Sequence, residues 1–201
     1  MQPPLIHPVT LENEHVRLEP MEPHHTPALA RTVDAETFRF FATTNMPTDE
    51  ASARTEVERL RTAPASLAFA VIERATNSIV GSSSYLDIRP EHRGLEIGRT
   101  WITARCRGTR VNPSMKLLML AHAFESPLFS AHPAERVQLK TDARNLRSQA
   151  AIAKLGAVRE GTLRKHIILP DGHIRDTVMY SITRDEWPAV KLGLESRLCT
   201  S

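Results

Sequence analysis

Residues 105–110, with the sequence RCRGTR, place Arg105, Arg107 and Arg110 around Gly108. Asn112 and Pro113 follow and predict the start of a helix, because asparagine is a preferred N-cap and proline suits the first helical position. The first N–H groups of a helix lack intrahelical partners and carry partial positive charge, and arginines add forked donors for phosphate oxygens. The turn therefore predicts a phosphate or pyrophosphate site. The alternative is an ordinary strand-to-helix turn with solvated arginines.

Two elements must position this turn. Residues 94–102 alternate polar and apolar side chains, which predicts a half-buried strand. Residues 115–124 are apolar on nearly every side, which predicts a buried helix. A strand that leads through a basic turn into a helix N-terminus is suited to binding anions.

Periodic patterns predict the remaining elements as an α/β fold. Further strands are indicated at residues 16–20, 67–72, 79–86 and 136–141, and in a hairpin around Asp171-Gly172. Helical patterns cover residues 24–33, 49–61 and 145–155, with Thr48 or Asp49 and then Asn145 as N-caps and Gly156 as a terminator. This order predicts one domain (residues 1–201) with a mixed sheet, about four helices, a core at about residues 9–187 and a short, weakly ordered tail.

Two features leave alternatives open. Ser148 opens the inward stripe of the helix over residues 145–155, where a hydroxyl can act on a ligand or, more commonly, bond to the backbone. The aromatic cluster at residues 38–41 either lines a substrate entrance or packs in the core, and packing is the favoured interpretation.

Composition is that of an ordinary globular protein, with 41% apolar and 24% charged residues over 201 positions. No stretch approaches the length of a transmembrane span and no secretory signal is visible, so we expect a cytoplasmic protein. Cys106 and Cys199 form no framework, and the nine histidines show no zinc spacing, so no metal is expected. Cys106 lies in the basic turn, where a thiol pKa can fall, but a covalent cysteine is disfavoured.

The formal charge of +3 arises from 26 basic and 23 acidic residues. No basic run is interleaved with aromatic residues, so nucleic acid is an unlikely partner and a basic nucleic-acid binder is the weaker rival.

In this context the turn resembles the acetyl-CoA pyrophosphate loop of the GNAT acetyltransferases, whose pattern is Gln/Arg-x-x-Gly-x-Gly/Ala. Arg105 and Gly108 match it, whereas Arg110 stands where the family usually has Gly or Ala. A small residue permits close backbone approach, so Arg110 either crowds the loop or turns outward to the ribose 3′-phosphate of CoA. The resemblance implies the GNAT acyl-CoA N-acyltransferase fold from about Val9 to Trp187 and acetyl-CoA as co-substrate.

Residues 145–156, with the sequence NLRSQAAIAKLG, look like a second motif, Asn-x-x-Ser-x-x-x-x-x-Lys-x-Gly. It is characteristic of the ribosomal-protein N-terminal (alanine/serine) acetyltransferase-like branch of the GNAT superfamily. Because it fixes four residue types, it is more specific than the basic turn.

The resemblance also implies residue roles. Asn145 would bond the pantetheine arm, and Ser148 would protonate the leaving thiolate. A backbone N–H near Trp101 or Ile102 would hold the acetyl carbonyl, beyond which the strand would part from its neighbour. Ile152 stands where many members have a tyrosine acid, so that acid is excluded. The implied cofactor-binding residues are Trp101, Ile102, Arg105, Arg107, Gly108, Thr109, Arg110, Asn112, Asn145 and Ser148.

The reaction implied is direct transfer of acetyl from the thioester to a neutral primary amine. Glu96 is the first candidate for its general base and Glu160 the second, and either can instead be a salt-bridged carboxylate, which is the favoured interpretation for Glu160.

The favoured acceptor is a protein N-terminal α-amine. A small-molecule amine of the antibiotic or polyamine type is the second enzyme hypothesis, and a non-catalytic CoA-binding regulator is the rival outside enzymes. No membrane partner is expected, and a homodimer is possible in this branch.

Overall fold

The computed structural model describes residues 6–41 and 47–199, arranged around one eight-stranded sheet. The strands are β1 (Leu11–Glu12), β2 (Val16–Pro20), β3 (Leu67–Glu73), β4 (Ser78–Arg89), β5 (Gly94–Ile102), β6 (Arg136–Asp142), β7 (Val158–Ile168) and β8 (Ile174–Thr183). The helices are α1 (Thr26–Leu29), α2 (Ala35–Phe38), α3 (Glu50–Thr62), α4 (Val111–Glu125), α5 (Leu146–Lys154) and α6 (Trp187–Cys199). The predicted α/β class with a mixed sheet is confirmed.

The sheet has the order β1-β2-β3-β4-β5-β6-β8-β7, and β5 and β6 are its parallel pair. Their pairing is short, because Gly94 to Glu96 face Arg136 to Gln138 and no pair follows. Both strands continue, so they diverge beyond Glu96 and leave a gap in the middle of the sheet. The expected point of parting is near Ile102, but the strands part six residues earlier on β5. The reason is that only the first three residues of each strand pair with the other strand.

A β-bulge interrupts β5 where it pairs with β4. Ser84 faces Gly98 and Ser82 faces Trp101, so three steps on β5 oppose two on β4. The extra residue falls at Arg99–Thr100, and Arg99 has a φ of +47°. Bulges of this kind bend a strand and redirect its side chains.

Apolar side chains cover both faces of the sheet, as the alternation in β3 illustrates. Phe69 and Val71 join the core that contains Met115 and Met119 of α4. Ala68 and the neighbouring alternate residues face a second core, which contains side chains of α1 and α3 together with Trp101. The gap between β5 and β6 therefore lies in a sheet whose two faces are packed by different helices.

Two helix starts confirm the predicted caps and one does not. The Asp49 carboxylate accepts a hydrogen bond from the Ser52 N–H at the start of α3, and Asn145 caps α5 in the same way. The prediction that Asn112 is an N-cap is wrong, because Arg110 holds that position and α4 begins at Val111. Proline is accepted one turn into α4, where its missing N–H would have no partner in any case.

The predicted helix over residues 24–33 is also much shorter than expected. It consists of a 3₁₀ turn at Pro23–His25 followed by the single turn α1.

The expectation of a weakly ordered tail after Trp187 is wrong. Residues 187–199 form α6, which buries Trp187, Val190 and Leu194 on one side. Trp187 stacks on Phe124 of α4 with ring centroids 5.6 Å apart, and its indole N–H donates to Glu125 at 2.8 Å. Burial of one apolar stripe orders the helix although its other sides are polar or exposed.

In the described part of the chain, no helix combines the length and apolarity that crossing a membrane requires.

The packing of α6 gives a stability prediction. Leu194 is 0% exposed and Leu192, on the same helix, is 68% exposed. We expect Leu194→Ala to lower the free energy of unfolding by about 2–5 kcal/mol, through lost burial and a residual cavity. The matched variant Leu192→Ala should change it by less than about 0.5 kcal/mol. Urea unfolding measures both, and equal effects would show that α6 does not pack as described.

Candidate active site

A cleft of about 500 Å³ occupies the gap where β5 and β6 diverge. The turn before α4 and the start of α5 form one part of its wall, through Gly108, Asn112 and Asn145. Helix α3 and the bulge of β5 form another part, through Glu56 and Arg99. One cleft therefore joins the basic turn to the buried middle of the sheet.

The basic turn has the open backbone that an anion site needs. Gly108 has a φ of +76°, a left-handed conformation that favours glycine, and a Cβ there would meet no atom within 4 Å. Arg107 lines the cleft and pairs with Asp34 at 3.1 Å and Glu36 at 3.6 Å, and Arg147 pairs with Glu36 at 2.8 Å. These carboxylates are largely exposed, so the pairs are weak and a phosphate can compete with them.

Three of the residues proposed for cofactor binding do not line the cleft. Arg105 is bound to Glu73, with Nη1–Oε2 at 2.7 Å. The Thr109 hydroxyl donates to the carbonyl of Cys106 at 2.8 Å, and Arg110 is the N-cap residue of α4. Their contact with a cofactor stays a prediction.

Asn145 and Ser148 lie together in the first turn of α5 and line the cleft. The side-chain oxygen of Asn145 accepts the Ser148 N–H at 3.0 Å, whereas its amide nitrogen has no hydrogen-bond partner among the described residues. The Ser148 hydroxyl is likewise without a partner in the described chain, so it does not make the backbone bond that is common at this position. One donor and one hydroxyl are therefore available to a ligand.

The end of β5 presents a backbone N–H to the gap. The Thr103 N–H donates to Val80 of β4 at 2.8 Å, and alternate residues of an antiparallel strand bond to the same neighbour. The N–H of Trp101 is therefore turned toward β4 and that of Ile102 toward the side where β6 has diverged. The Trp101 indole is held in the other core by Thr32, with Nε1–Oγ1 at 3.0 Å.

Gly81 makes this geometry possible. A Cβ at residue 81 would lie 2.0 Å from the carbonyl oxygen of Trp101. Only glycine lets β4 approach the end of β5 this closely.

Glu96 lies at the point where β5 and β6 part. It is 2% exposed and lines the cleft. Lys140 contacts its Oε2 at 2.8 Å, and the side-chain amide of Gln138 donates to the same oxygen at 3.3 Å. The carboxylate is thus fixed by two residues of β6 beside the opening.

Glu160, the second candidate base, does not line the cleft. Glu160, on the edge strand β7, forms a two-point ion pair with Arg136 of β6 and accepts the Ser181 hydroxyl at 2.9 Å. The Arg136 guanidinium lowers the pKa of the Glu160 carboxyl. These contacts match the salt-bridged interpretation favoured for this residue.

Cysteine and tyrosine chemistry finds little support in the cleft. Burial raises the pKa of the Cys106 thiol, which donates to Glu73, and this disfavours a thiolate nucleophile. Neither Tyr85 nor Tyr180 lines the cleft. Ile152, at the position where a tyrosine acid was excluded, is buried in the wall.

Lys116 is a cleft residue that the sequence reasoning missed. It lies on α4, is 5% exposed and lines the cleft. Its ammonium nitrogen donates to the hydroxyls of Thr100 at 2.9 Å and Ser83 at 3.4 Å, and it has no ion pair within the described ranges. Burial lowers the pKa of Lys116 to about 7. The available signal was one lysine within the apolar run at residues 115–124.

The aromatic cluster both packs and reaches the cleft. Phe38 and Phe41 stack with centroids 4.6 Å apart, and both rings lie against Trp101. Phe40 and Phe41 line the cleft beside α3. The favoured packing role is present, and two of the rings also form part of the wall.

A family model described as "Acetyltransferase (GNAT) domain" matches residues 15–158, a range that contains the parted strands, the basic turn and the capped start of α5. The chain belongs to the GNAT acetyltransferase family. The fold is that family's mixed sheet with flanking helices, and GNAT enzymes use acetyl-CoA.

Solved structures agree with this assignment. An acetyltransferase-type protein from T. thermophilus has 42% sequence identity and a TM-score of 0.86 over 98% of this chain and 100% of its own. The ribosomal-protein-S5-alanine acetyltransferase from Vibrio fischeri has 18% identity and a TM-score of 0.69 over 89% and 98%. The microcin C7 self-immunity acetyltransferase MccE, solved with acetyl-CoA and AMP, has 19% identity and a TM-score of 0.71 over 85% and 93%. The last two show the fold alone.

No curated protein matches the chain.

The buried lysine gives a prediction about pH. Below pH 7 the folded and unfolded chains both carry the Lys116 proton and the burial cost is complete; above pH 10.5 neither carries it. Between these values only the unfolded chain is protonated, so this group's contribution to stability rises by about 1.4 kcal/mol per pH unit. Lys116→Met should therefore gain most relative to the parent near pH 7 and lose that advantage toward pH 10.5.

Denaturant unfolding of parent and variant at pH 7, 8, 9 and 10 measures this difference. The exposed residue Lys154 provides the control variant Lys154→Met, for which the difference should not change with pH. A pH-independent difference for Lys116→Met would mean that its ammonium is charged and solvated in the folded protein.

Proposed function

We propose that this protein is an acetyl-CoA-dependent N-acetyltransferase that transfers acetyl directly to a primary amine. The observation that carries the proposal is the parting of β5 from β6, because it exposes the Ile102 N–H inside a cleft that also reaches the Gly108 turn. A thioester laid along this cleft would have its carbonyl at a fixed donor and its phosphates at the basic turn. The geometry favours Ile102 over Trp101 as the donor.

The transfer would take place in two steps: the amine adds to the thioester carbonyl, and the thiolate is then expelled. The amine nitrogen attacks the thioester carbonyl carbon, and the oxygen that becomes negative accepts the Ile102 N–H. The C–S bond then breaks and CoA leaves as a thiolate. Direct attack is favoured over a covalent enzyme intermediate because Cys106, the thiol in the wall, is held as a thiol.

Glu96 is the proposed base. It is buried beside the parting and its second oxygen is not used by Lys140 or Gln138 in the bonds they make. The proton lost by the attacking amine would pass to this carboxylate, directly or through water.

Ser148 is the proposed acid, since its hydroxyl has no other partner in the described chain and follows the Asn145 cap. The proton it gives to the thiolate would be replaced from solvent at the open side of the cleft.

A protein N-terminal α-amine is the proposed acceptor. Such an amine titrates near pH ~8, so about a tenth is neutral at pH 7, whereas a lysine near ~10.4 is almost wholly protonated. A single carboxylate such as Glu96 is adequate for the first and a poor match for the second. The motif at residues 145–156 also supports the ribosomal-protein N-terminal branch, and the Vibrio fischeri enzyme shares its fold.

A small-molecule amine is the second candidate. The aromatic wall formed by Phe40 and Phe41 beside α3 could cover a small acceptor, and a fold shared with MccE is compatible with that use. Screening short peptides and small amines in the same assay separates the two classes.

Calorimetric titration with acetyl-CoA tests the cofactor, and Asn145 supplies the decisive variant. Asn145→Asp keeps the oxygen that caps α5 and removes the amide donor, so we expect the Kd for acetyl-CoA to rise about tenfold, which corresponds to about 1.4 kcal/mol. Asn77→Asp, in an exposed turn between β3 and β4, is the control and should bind as the parent does. A parent that fails to bind near-millimolar acetyl-CoA would refute the proposal, and a variant Kd within twofold would remove Asn145 from the pantetheine site.

Steady-state kinetics with the best amine acceptor test Ser148. We expect Ser148→Ala to lower kcat at least tenfold with little change in KM for acetyl-CoA, because leaving-group protonation occurs only in the transition state. Ser148→Thr keeps a hydroxyl and should recover most of the loss. If kcat for the alanine variant stays within twofold of the parent, Ser148 is not the acid.

A further inference from the structure

Arg99 occupies a backbone position that does not suit it. Its φ of +47° lies in the left-handed region, where glycine and asparagine are the usual residues and other side chains are strained. The position is the extra residue of the bulge in β5, directly before the segment that presents the Ile102 N–H. An arginine here is aimed by the bulge into the cleft, which it lines.

The Arg99 guanidinium has an unused donor. Its Nη1 is inaccessible to solvent and has no hydrogen-bond partner among the described residues. Within those residues Arg99 also has no ion pair. Buried donors are normally paired because an unmade bond is costly, and burial lowers the pKa of this guanidinium. The site therefore contains a cation with a donor that needs an acceptor.

The carboxylates around Arg99 are bound by other side chains. Glu56 and Glu96 are the acidic groups whose charges act on Arg99. Both oxygens of Glu56 are bound by Arg59, which is one turn further along α3. Glu96 is bound by Lys140 and Gln138. Neither carboxylate forms an ion pair with Arg99.

Within the one cleft, Arg99 lies beside α3, whereas the residues assigned to the phosphates and the pantetheine arm lie at the turn before α4 and the start of α5. Gly108, Asn112 and Asn145 line the cofactor part, at the carboxyl end of β5 and the start of α5. Arg99 lies with Glu56 and Arg59 at the bulge of β5, on the side of the cleft formed by α3, and under the proposed function this side is left for the acceptor. An anion at Arg99 would thus belong to the acceptor molecule.

We propose that Arg99 is a specificity-determining residue that binds an oxyanion, carboxylate or phosphate, carried by the acetyl acceptor. This inference rests on the proposed function, since it names a property of the amine that the enzyme acetylates. A guanidinium suits either group because its parallel N–H donors match two oxygens at once. On a protein N-terminus the oxyanion would be an acidic side chain close to the first residue; on a small acceptor it would be a group of the molecule itself.

The test uses matched probes that differ in the oxyanion. N-acetyl-L-alanine and N-acetyl-L-alaninamide, which mimic products with and without a carboxylate, are titrated calorimetrically into the protein alone and into its CoA complex. Aminoethyl phosphate and ethanolamine serve as the phosphate pair. We expect the anionic member of at least one pair to bind ten times more tightly or better, and the pair that does so identifies the group.

Variants of Arg99 test whether this residue causes the preference for the anionic probe. Arg99→Met should reduce the anionic-to-neutral ratio toward one. Arg99→Gly removes the same side chain and relieves the left-handed backbone, so it keeps the test valid if the methionine variant folds poorly. Arg54→Met, on the exposed side of α3 in a pair with Glu50, removes one positive charge outside the cleft and should leave the ratio as in the parent.

The outcomes separate this inference from the proposed function. If no anionic probe binds more tightly than its neutral partner in the parent protein, or if the Arg99 variants keep the parent ratio, the inference is overturned. Either result leaves acetyl-CoA binding and amine acetylation intact. Failure to bind acetyl-CoA in the separate titration would instead overturn the proposed function.

Discussion

The structure depends on the divergence of two parallel strands that share only three residue pairs. Sheet strands normally satisfy their backbone groups through both neighbours, so parting β5 from β6 leaves polar backbone without a partner in the middle of the sheet. The molecule tolerates this because each face of the sheet has its own helices and apolar core, and because Gly81 keeps β4 tightly joined to the end of β5. The exposed Ile102 N–H results directly from that arrangement. The missing strand pairing thereby leaves one backbone N–H, that of Ile102, as a hydrogen-bond donor in a fixed position.

Charge is distributed along the cleft in a way that follows from this opening. At the basic turn Arg107 is paired with the exposed carboxylates of Asp34 and Glu36, with which an anion can compete at little cost. Deeper in the cleft, Glu56 pairs with Arg59 and Glu96 pairs with Lys140. Among the described residues, no carboxylate forms an ion pair with Arg99. The ammonium group of Lys116, buried beside the same bulge, donates only to hydroxyls among the described residues. The interior therefore favours groups that bring their own negative charge and disfavours a charged ammonium, which agrees with the proposed acetyl transfer to a neutral amine.

The sequence could predict two local features of the candidate site because each depends on a few neighbouring residues. These features are the Asn145 cap of α5 and the glycine turn at Gly108. Arg99 and Lys116 escaped prediction for the opposite reason. The bulge depends on the register of β5 against β4, and the burial of Lys116 depends on Thr100 and Ser83 from distant strands. The order of the tail could not be predicted because three apolar residues are too few to indicate a packed helix by themselves. They are buried only because α4 provides the surface on which α6 packs.

The packing of α6 has a consequence for the opposite end of α4. Trp187 and Lys191 both bind Glu125 at the carboxyl end of that helix, whereas the basic turn precedes its first residue. Over 15 residues the two sites are about 22 Å apart. Because α4 is fixed at its carboxyl end, its orientation is fixed as well. Its N-terminal dipole therefore points at the basic turn without any rearrangement. Shortening the chain from its carboxyl terminus would loosen that support, and would thereby weaken the proposed anion site although the missing residues do not contact it.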